Sequence, residues 1–400
     1  MKKHGFIGFY LNALFFLYGL VIVLCDNFRY ISFIYLINAI IGCSFVLLVL
    51  SGKVKIYFNT FFNIYLIFVV FAIASSFWAE DFYFTARRAL NLVLIFLNIF
   101  FIYNINKEFR NYRFIIYGVL MSIFVNFLWF VGLIDLGLTF EGWRFQGSVL
   151  QANNFVYILM FGMMMMVYFF VNKREYILLN TALMLLFLIT ILLVVMTASK
   201  AGLLSVFVLI LILLIQVFKP KYITKTLLAV VFVFVLFKFS PLIEFVGSNS
   251  SLDLEYTFVN LEKRLVEFVR ELGTEGGSKS TSDRVNMIKS ALEMWGLSPV
   301  IGNGMAAYEF QYGHYSHNNV VELLSALGII GFLLYYSIFA HIFSQIVILK
   351  DGKLRIILIL FLLLYFIFDQ SIVSYTGKFK ILSLLMIFLI VKEHLYLESS

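Results

Sequence analysis

Residues 177–197 read ILLNTALMLLFLITILLVVMT, a run from Ile177 to Thr197 without one charged side chain. At about 1.5 Å of rise per helical residue, some 20 such residues cross the roughly 30 Å hydrocarbon core of a bilayer. Inside that core every backbone N–H and C=O must be satisfied within the segment, and the helix does this. Working outward, the same kind of run recurs near 6–25, 30–50, 58–77, 89–105, 114–134 and 154–171, and again near 201–218, 226–240, 318–348, 355–369 and 379–391. The expectation is an all-α integral membrane protein of about twelve transmembrane helices.

Composition agrees. The chain is 62% hydrophobic and 13% charged, with a mean hydropathy of +0.98, whereas a soluble surface needs about 25% charged residues. Its 48 Phe and 23 Tyr suit packing, lipid contact and the headgroup level better than a stacking platform for sugars or bases. The net charge of +8 is scattered over loops rather than gathered in a stripe, which speaks against nucleic acid as a partner. Cys25 and Cys43 sit in different apolar segments and read as packing residues without a disulfide framework. The opening MKKHGFIGFY runs straight into a full-length apolar span, the pattern of a signal anchor rather than a cleaved signal.

The loops alternate in charge. Lys2, Lys3, Lys53, Lys55, Lys107, Arg110, Arg113, Lys173, Arg174, Lys219, Lys221, Lys225, Lys350, Lys353, Arg355 and Lys392 fall on one side. They outnumber Arg29, Arg87, Arg88, Arg144, Lys200, Lys378 and Lys380 on the other. Positive-inside logic then puts both termini in the cytoplasm. The expected organisation is an N-terminal bundle of about nine helices over 1–240, a large extracytoplasmic loop over 241–317, and about three helices with a cytoplasmic tail over 318–400. That loop opens with Pro241 and carries an amphipathic stretch at 252–272 and a Gly/Ser run, GTEGGSKSTS, at 273–282. A second helix is expected from Asp283 to Trp295, capped by Ser282 or Asp283, followed by a Pro/Gly loop, SPVIGNG, at 298–304. The short cytoplasmic loops leave no room for a catalytic domain, so the chemistry is expected outside, since long loops are where function concentrates.

Within the spans charges are nearly absent, unlike an ion-coupled transporter, which places them at the midplane. The unusual polar residues fall at the outer helix ends: Arg87, Arg88, Arg144, Lys200, Lys238, Glu322 and Asp369. Such a set of cations suits a polyanionic head group carried on a lipid, because Arg supplies bidentate donors for phosphate and Lys a point charge. Arg29, Lys378 and Lys380 read instead as snorkelling interfacial anchors, and His341 as a hydrogen-bonded packing histidine. The sharpest constellation is GHYSHNNVVELLSALGIIGFLLYY at 313–336. There, His314 and His317 precede a long span, with Asn318 and Asn319 next and Glu322 one turn on. A neutral imidazole can take a proton from an attacking hydroxyl, and Asn318 can orient it, bind sugar hydroxyls or simply cap the helix. The spacing does not match a metal site, since two His and a Glu lack the H-E-x-x-H pattern and no Cys cluster accompanies them.

HisAsn followed by an apolar helix carrying GIIG (328–331) resembles the signature of the O-antigen ligase and O-antigen polymerase superfamily. RFQGSVLQANN (144–154), MTASKAGLL (196–204) and SDRVNMIKSALEMWGLSPVIGNG (282–304) resemble further segments of that family, in the same order. The resemblance implies an inverting glycosyl transfer at the outer face of the bacterial cytoplasmic membrane, independent of metals and other cofactors. Its donor would be a glycan on undecaprenyl pyrophosphate, and its further partners the membrane lipid, a chain-length regulator and a flippase of the same pathway. His317 would be the catalytic base and Arg284 the loop arginine at the leaving pyrophosphate. Arg144 would be a second such contact; the residues themselves, apart from the resemblance, add Arg87, Arg88, Lys200, His314, Asn318 and Glu322 as candidate substrate-binding residues. Lys200 departs from the family, which typically has Arg there; a lysine keeps the charge but loses the bidentate fork. The leading expectation is a polymerase for O-antigen, capsule or exopolysaccharide. The first rival is a ligase that moves the finished glycan to lipid A core, protein or wall, and the second, of another class, is a flippase.

Overall fold

The computed structural model of the chain describes residues 5–26, 30–134, 144–149, 151–172, 177–216 and 279–399. The expected span at 226–240, the amphipathic stretch at 252–272, Arg29, Lys238 and Pro241 lie outside these residues. All elements described are helical: α1 (Gly5–Leu24), α2 (Ile31–Leu50), α3 (Thr60–Ala74, continued by a 3₁₀ turn Ser75–Phe77), α4 (Phe82–Phe109), α5 (Arg113–Phe130), α6 (Ala152–Val171), α7 (Ile177–Met196), α8 (Lys200–Gln216), α9 (Lys279–Leu297), α10 (Ala307–Tyr312), α11 (Asn319–Val347), α12 (Gly352–Asp369) and α13 (Lys378–Ser399). Among the described residues eight helices are long and apolar enough to cross a membrane: α1 to α7 and α11. α8 is shorter, while α12 carries Lys353, Arg355 and Asp369, and α13 carries Lys378, Lys380 and Lys392.

Several boundaries differ from expectation: α4 starts at Phe82 rather than near 89, and two others change how a segment reads. α9 begins at Lys279, so Ser282 and Asp283 lie inside the helix rather than capping it, and the end of the Gly/Ser run is helical. α13 continues to Ser399, so the expected tail is helix. Several other starts follow capping chemistry, in which a side-chain oxygen takes an orphan N–H of the first turn. Asn59 accepts from the Phe62 N–H at 3.1 Å, Asp81 from Phe84 at 2.7 Å, and Asp351 from Lys353 at 2.9 Å.

The chain divides into two compact units. One holds Leu36–Tyr112 and Gly276–Ser400 with the first nine residues. Its core is aromatic: Phe61, Phe62, Tyr65 and Phe68 on α3 are all fully buried. Phe61 stacks on Phe388 of α13 at 5.0 Å, Phe62 meets Phe100 of α4 edge-on at 5.3 Å, and Phe68 meets Tyr335 of α11 at 5.6 Å. Phe61, Tyr65 and Phe68 recur at spacings of four and three residues, the spacing of one helix face, and Phe62 lies beside them.

The other unit holds Tyr10–Tyr35 and Arg113–Glu275. α6 is buried on nearly every side, Met163 to Met166 included, as a helix apolar all round should be. α1 and α5 cross at Gly19 and Gly118, where an added Cβ would stand 2.1 Å from the Ile115 and Phe16 carbonyl oxygens. Small residues at such a crossing let backbones approach where lipid offers no hydrophobic drive.

α11 is broken at Gly328, whose backbone (φ 63°, ψ −167°) leaves the helix while the helical hydrogen bonding resumes beyond it. A break in a membrane helix frees polar groups that need new partners, and the 298–304 loop supplies them. Ile329 and Ile330 N–H donate to the Pro299 and Val300 carbonyls at 3.0 and 3.2 Å; Asn303 and Gly304 N–H donate to Ser325 and Ala326 at 3.1 and 2.9 Å. The approach is so close that a Cβ on Gly328 would lie 2.3 Å from the Val300 oxygen, and one on Gly302 2.3 Å from the Ala326 oxygen. The first glycine of GIIG therefore serves to let SPVIGNG dock into the kink.

Candidate active site around His317

The docked loop carries its neighbours with it. α9 buries Ala291 and Met294, flanked by Met287 and Ile288, against Ala307 and Tyr308 of α10 and Val321 of α11. Asn303 fastens the junction, its amide donating to the Met294 and Ser325 carbonyls at 2.8 and 2.9 Å. Ser75 ties the loop to α3, its hydroxyl accepting from the Met305 N–H at 3.0 Å. α9 thus lies on the first turns of α11, and Arg284 is brought near His317.

His317 sits one residue before the cap of α11, with φ 57° in the left-handed region. Histidine tolerates this region better than most residues, but such a backbone persists only when its flanks over-determine it. Both flanks do. On one side the Ser316 N–H donates to Glu322 Oε2 at 2.8 Å, and its hydroxyl donates to the Asn318 carbonyl at 3.0 Å. On the other, Asn318 Oδ1 accepts from Val320 and Val321 N–H at 2.9 and 3.3 Å, and its amide donates to Gln370 Oε1 at 3.2 Å. Asn318 is therefore the N-cap of α11. Glu322, 2% exposed, sits in the first turn, where the helix dipole favours a carboxylate.

The imidazole of His317 packs against the Tyr315 ring with centroids 4.4 Å apart. Its Nδ1 is buried and has no hydrogen-bond partner among the described residues, so Nε2 is the nitrogen left to meet a substrate. Burial first, then the Arg284 guanidinium and then His314, push its pKa down from 6.5 to about 4, because each disfavours the imidazolium. The ring is neutral at physiological pH and able to receive a proton. His314 is exposed and flanks the rings of Tyr308 at 5.9 Å and Tyr312 at 6.4 Å. Burial, helped by Glu322 and Tyr312, raises the Tyr308 hydroxyl to about 12.

The remaining expected site residues separate into three placements. Arg88 is ion-paired to Glu309 of α10 and lies over the Phe84 ring at 5.4 Å, so it joins α4 to α10. Arg87, beside it, is exposed. Arg144 and Lys200 belong to the other unit, where two of the quoted motifs meet. Arg144 Nε donates to the Thr197 carbonyl at 3.0 Å and a terminal nitrogen to Asn153 Oδ1 at 3.3 Å, while the Phe145 N–H donates to the Met196 carbonyl at 3.1 Å. Ala198 has φ 50°, the Ser199 hydroxyl accepts from the Gly202 N–H at 3.4 Å, and Lys200 opens α8. A cation in a first turn opposes the helix dipole, so Lys200 is not placed there to stabilise the helix.

Sequence reasoning missed a buried group. Lys380, read as an exposed anchor, has a side chain only 1% exposed and pairs with the fully buried Asp369 at 2.9 Å. Ser374 and Tyr336 also donate to Asp369, at 2.6 and 3.1 Å, and Asn319 Oδ1 accepts from the Ser374 and Tyr375 N–H at 2.8 and 2.9 Å. The available signal was one Asp and one Lys, close in sequence, at the facing ends of two apolar runs.

No curated protein matches the chain. Residues 185–336, which run from α7 through the His317 segment and past the Gly328 kink, match the family model described as O-antigen ligase. Over that segment the match supports the resemblance to the O-antigen ligase and polymerase superfamily, in a chain whose described residues include eight helices long and apolar enough to cross a membrane.

Proposed function

We propose that the chain is a glycosyltransferase that polymerises lipid-linked oligosaccharide repeat units of an O-antigen, capsule or exopolysaccharide at the outer face of the bacterial cytoplasmic membrane. In this reading twelve helices cross the bilayer with both termini in the cytoplasm, and 241–317 form an extracytoplasmic loop. The observation that carries it is His317, a neutral imidazole fixed in a left-handed backbone beside the Arg284 charge. As an acceptor hydroxyl attacks the anomeric carbon of the donor glycan, His317 takes its proton at Nε2. The glycosyl bond to the undecaprenyl pyrophosphate oxygen breaks, and Arg284 stabilises the negative charge that develops on that leaving group. Attack from the opposite side inverts the anomeric centre. Supporting the class of substrate is the family match, whose members act on lipid-linked glycans.

The description of that family favours a second reading, a ligase handing the finished glycan to lipid A core, protein or wall. Donor chemistry is shared and only the acceptor differs. Deletion of the chain followed by gel analysis of surface polysaccharide separates them: single repeat units mean a polymerase, long chains retained on lipid mean a ligase, and units trapped in the cytoplasm mean a flippase. His317→Ala should reproduce the deletion phenotype, and persistence of normal surface polysaccharide in that variant would overturn the catalytic assignment.

A further inference from the structure

The Asp369–Lys380 pair has no part in the chemistry above, yet its connections lead back to the proposed base. Apolar residues of similar volume usually stabilise a helical packing as well as a buried ion pair does, and ionisable groups inside a membrane bundle are expensive. Closure of α12 against α13 alone therefore gives no reason for two charges. Their hydrogen bonds suggest a different one. Asp369 ends α12 and Lys380 lies in the first turn of α13, so the pair clamps the 370–377 turn between them. Ser374 within that turn donates to the same Asp369 oxygen that Lys380 holds. The turn in turn grips both asparagines that follow His317. The Ser374 and Tyr375 N–H bind Asn319 Oδ1, and Gln370 Oε1 binds the Asn318 amide. Tyr336 closes the circuit, accepting from the Asn319 amide at 3.4 Å and donating to Asp369.

We propose that Asp369 and Lys380 are positioning residues for His317, holding the 370–377 turn so that Asn318 and Asn319 fix the left-handed backbone on which the imidazole stands. The assignment rests on the reading of His317 as the base. The pair touches no reacting atom and acts only through the two asparagines.

The test uses the full chain in nanodiscs. The double variant Asp369→Asn/Lys380→Met removes both charges and keeps roughly the same volume, avoiding the stranded charge that either single change leaves. The first readout needs no activity: the rate at which diethyl pyrocarbonate acylates each of the five histidines, read by peptide mass spectrometry. The rate at His317 should change several-fold while His341 stays constant. The second readout is the transfer reaction with lipid-linked repeat units, where kcat should fall by about tenfold or more with KM nearly unchanged, as expected when a catalytic group is misplaced. Tyr336→Phe, which keeps the ring and cuts only the link between Asn319 and Asp369, should show the same pattern at smaller size and covers the case in which the double variant does not fold. Unaltered His317 acylation and kcat in a folded variant overturn the proposal. Wild-type protein that transfers no glycan while the variants still change His317 acylation would instead sink the function and leave the positioning role standing.

Discussion

Arg284→Ala tests how the site sets the state of its base. His317 is held at about 4, against 6.5 for a free imidazole, by burial first, then Arg284, then His314. Because burial is the larger cause, the guanidinium holds less than half of that interval. Its removal should raise the proton affinity of His317, moving the pKa up from about 4 by less than half of that interval. The sign is fixed: deleting a neighbouring cation makes the imidazolium less costly, so the pKa rises but stays below 6.5 while the ring remains buried. Diethyl pyrocarbonate reacts with the neutral ring, so the pH dependence of acylation at His317 reads this pKa without any turnover. In wild-type protein acylation should stay high from neutral pH down to about 5 and fall only near 4, and Arg284→Ala should shift that fall upward. A wild-type curve centred near 6.5, or an Arg284→Ala curve superimposed on wild type, would refute the electrostatic account. With substrate the same logic predicts an acid limb for kcat at higher pH than for kcat/KM, because a bound pyrophosphate offsets the Arg284 charge and restores basicity when it is needed.

Gly328→Ala should destabilise the protein by about 3 kcal/mol or more, since its Cβ would meet the Val300 carbonyl at 2.3 Å in a left-handed backbone; the thermal midpoint in detergent is the measure, and an unchanged midpoint would mean the loop does not dock in the kink. Asn318→Ala should cost about 1 kcal/mol through loss of the α11 cap, and in the same melt Asn318→Asp should recover the cap but not the amide bond to Gln370. Arg88→Ala should cost less than about 1 kcal/mol, because its pair with Glu309 is 41% and 31% exposed at the side chains, and a larger drop would argue that the pair does more than join α4 to α10.

Much of the architecture was legible because membrane helices announce themselves through continuous apolar length. The run at 177–197 became α7 at Ile177–Met196, and the run at 318–348 became α11 at Asn319–Val347. The order of motifs around His317 was also readable, and the family match over 185–336 covers the His317 segment. The helix on which Arg284 rides was foreseen, but its start was not. Ser and Asp are read as caps when they precede an apolar run, and here Lys279 to Ser282 extend the helix through them. The purpose of GIIG was invisible too: nothing local in Gly328 says that a loop some 25 residues upstream will donate to and accept from the broken turn.

Charged residues were hardest to read, because their meaning depends on partners that are distant in sequence. Lys380 and Arg88 both stand at the edge of an apolar run, near a second cation. Arg88 found Glu309, 221 residues away, at a half-exposed junction. Lys380 found Asp369 across a short turn and became fully buried with it. Snorkelling is the low-cost state for a long cationic side chain near an interface, so an isolated lysine is rightly assigned to it. What overrides that assignment is an acid placed where the next helix begins or the last one ends, with hydroxyls able to satisfy its remaining lone pairs. Asp369, Ser374, Tyr336 and Lys380 meet that condition together. In a sequence that otherwise keeps charge out of its spans, an Asp and a Lys flanking one short turn are therefore better read as a single buried unit than as two surface residues.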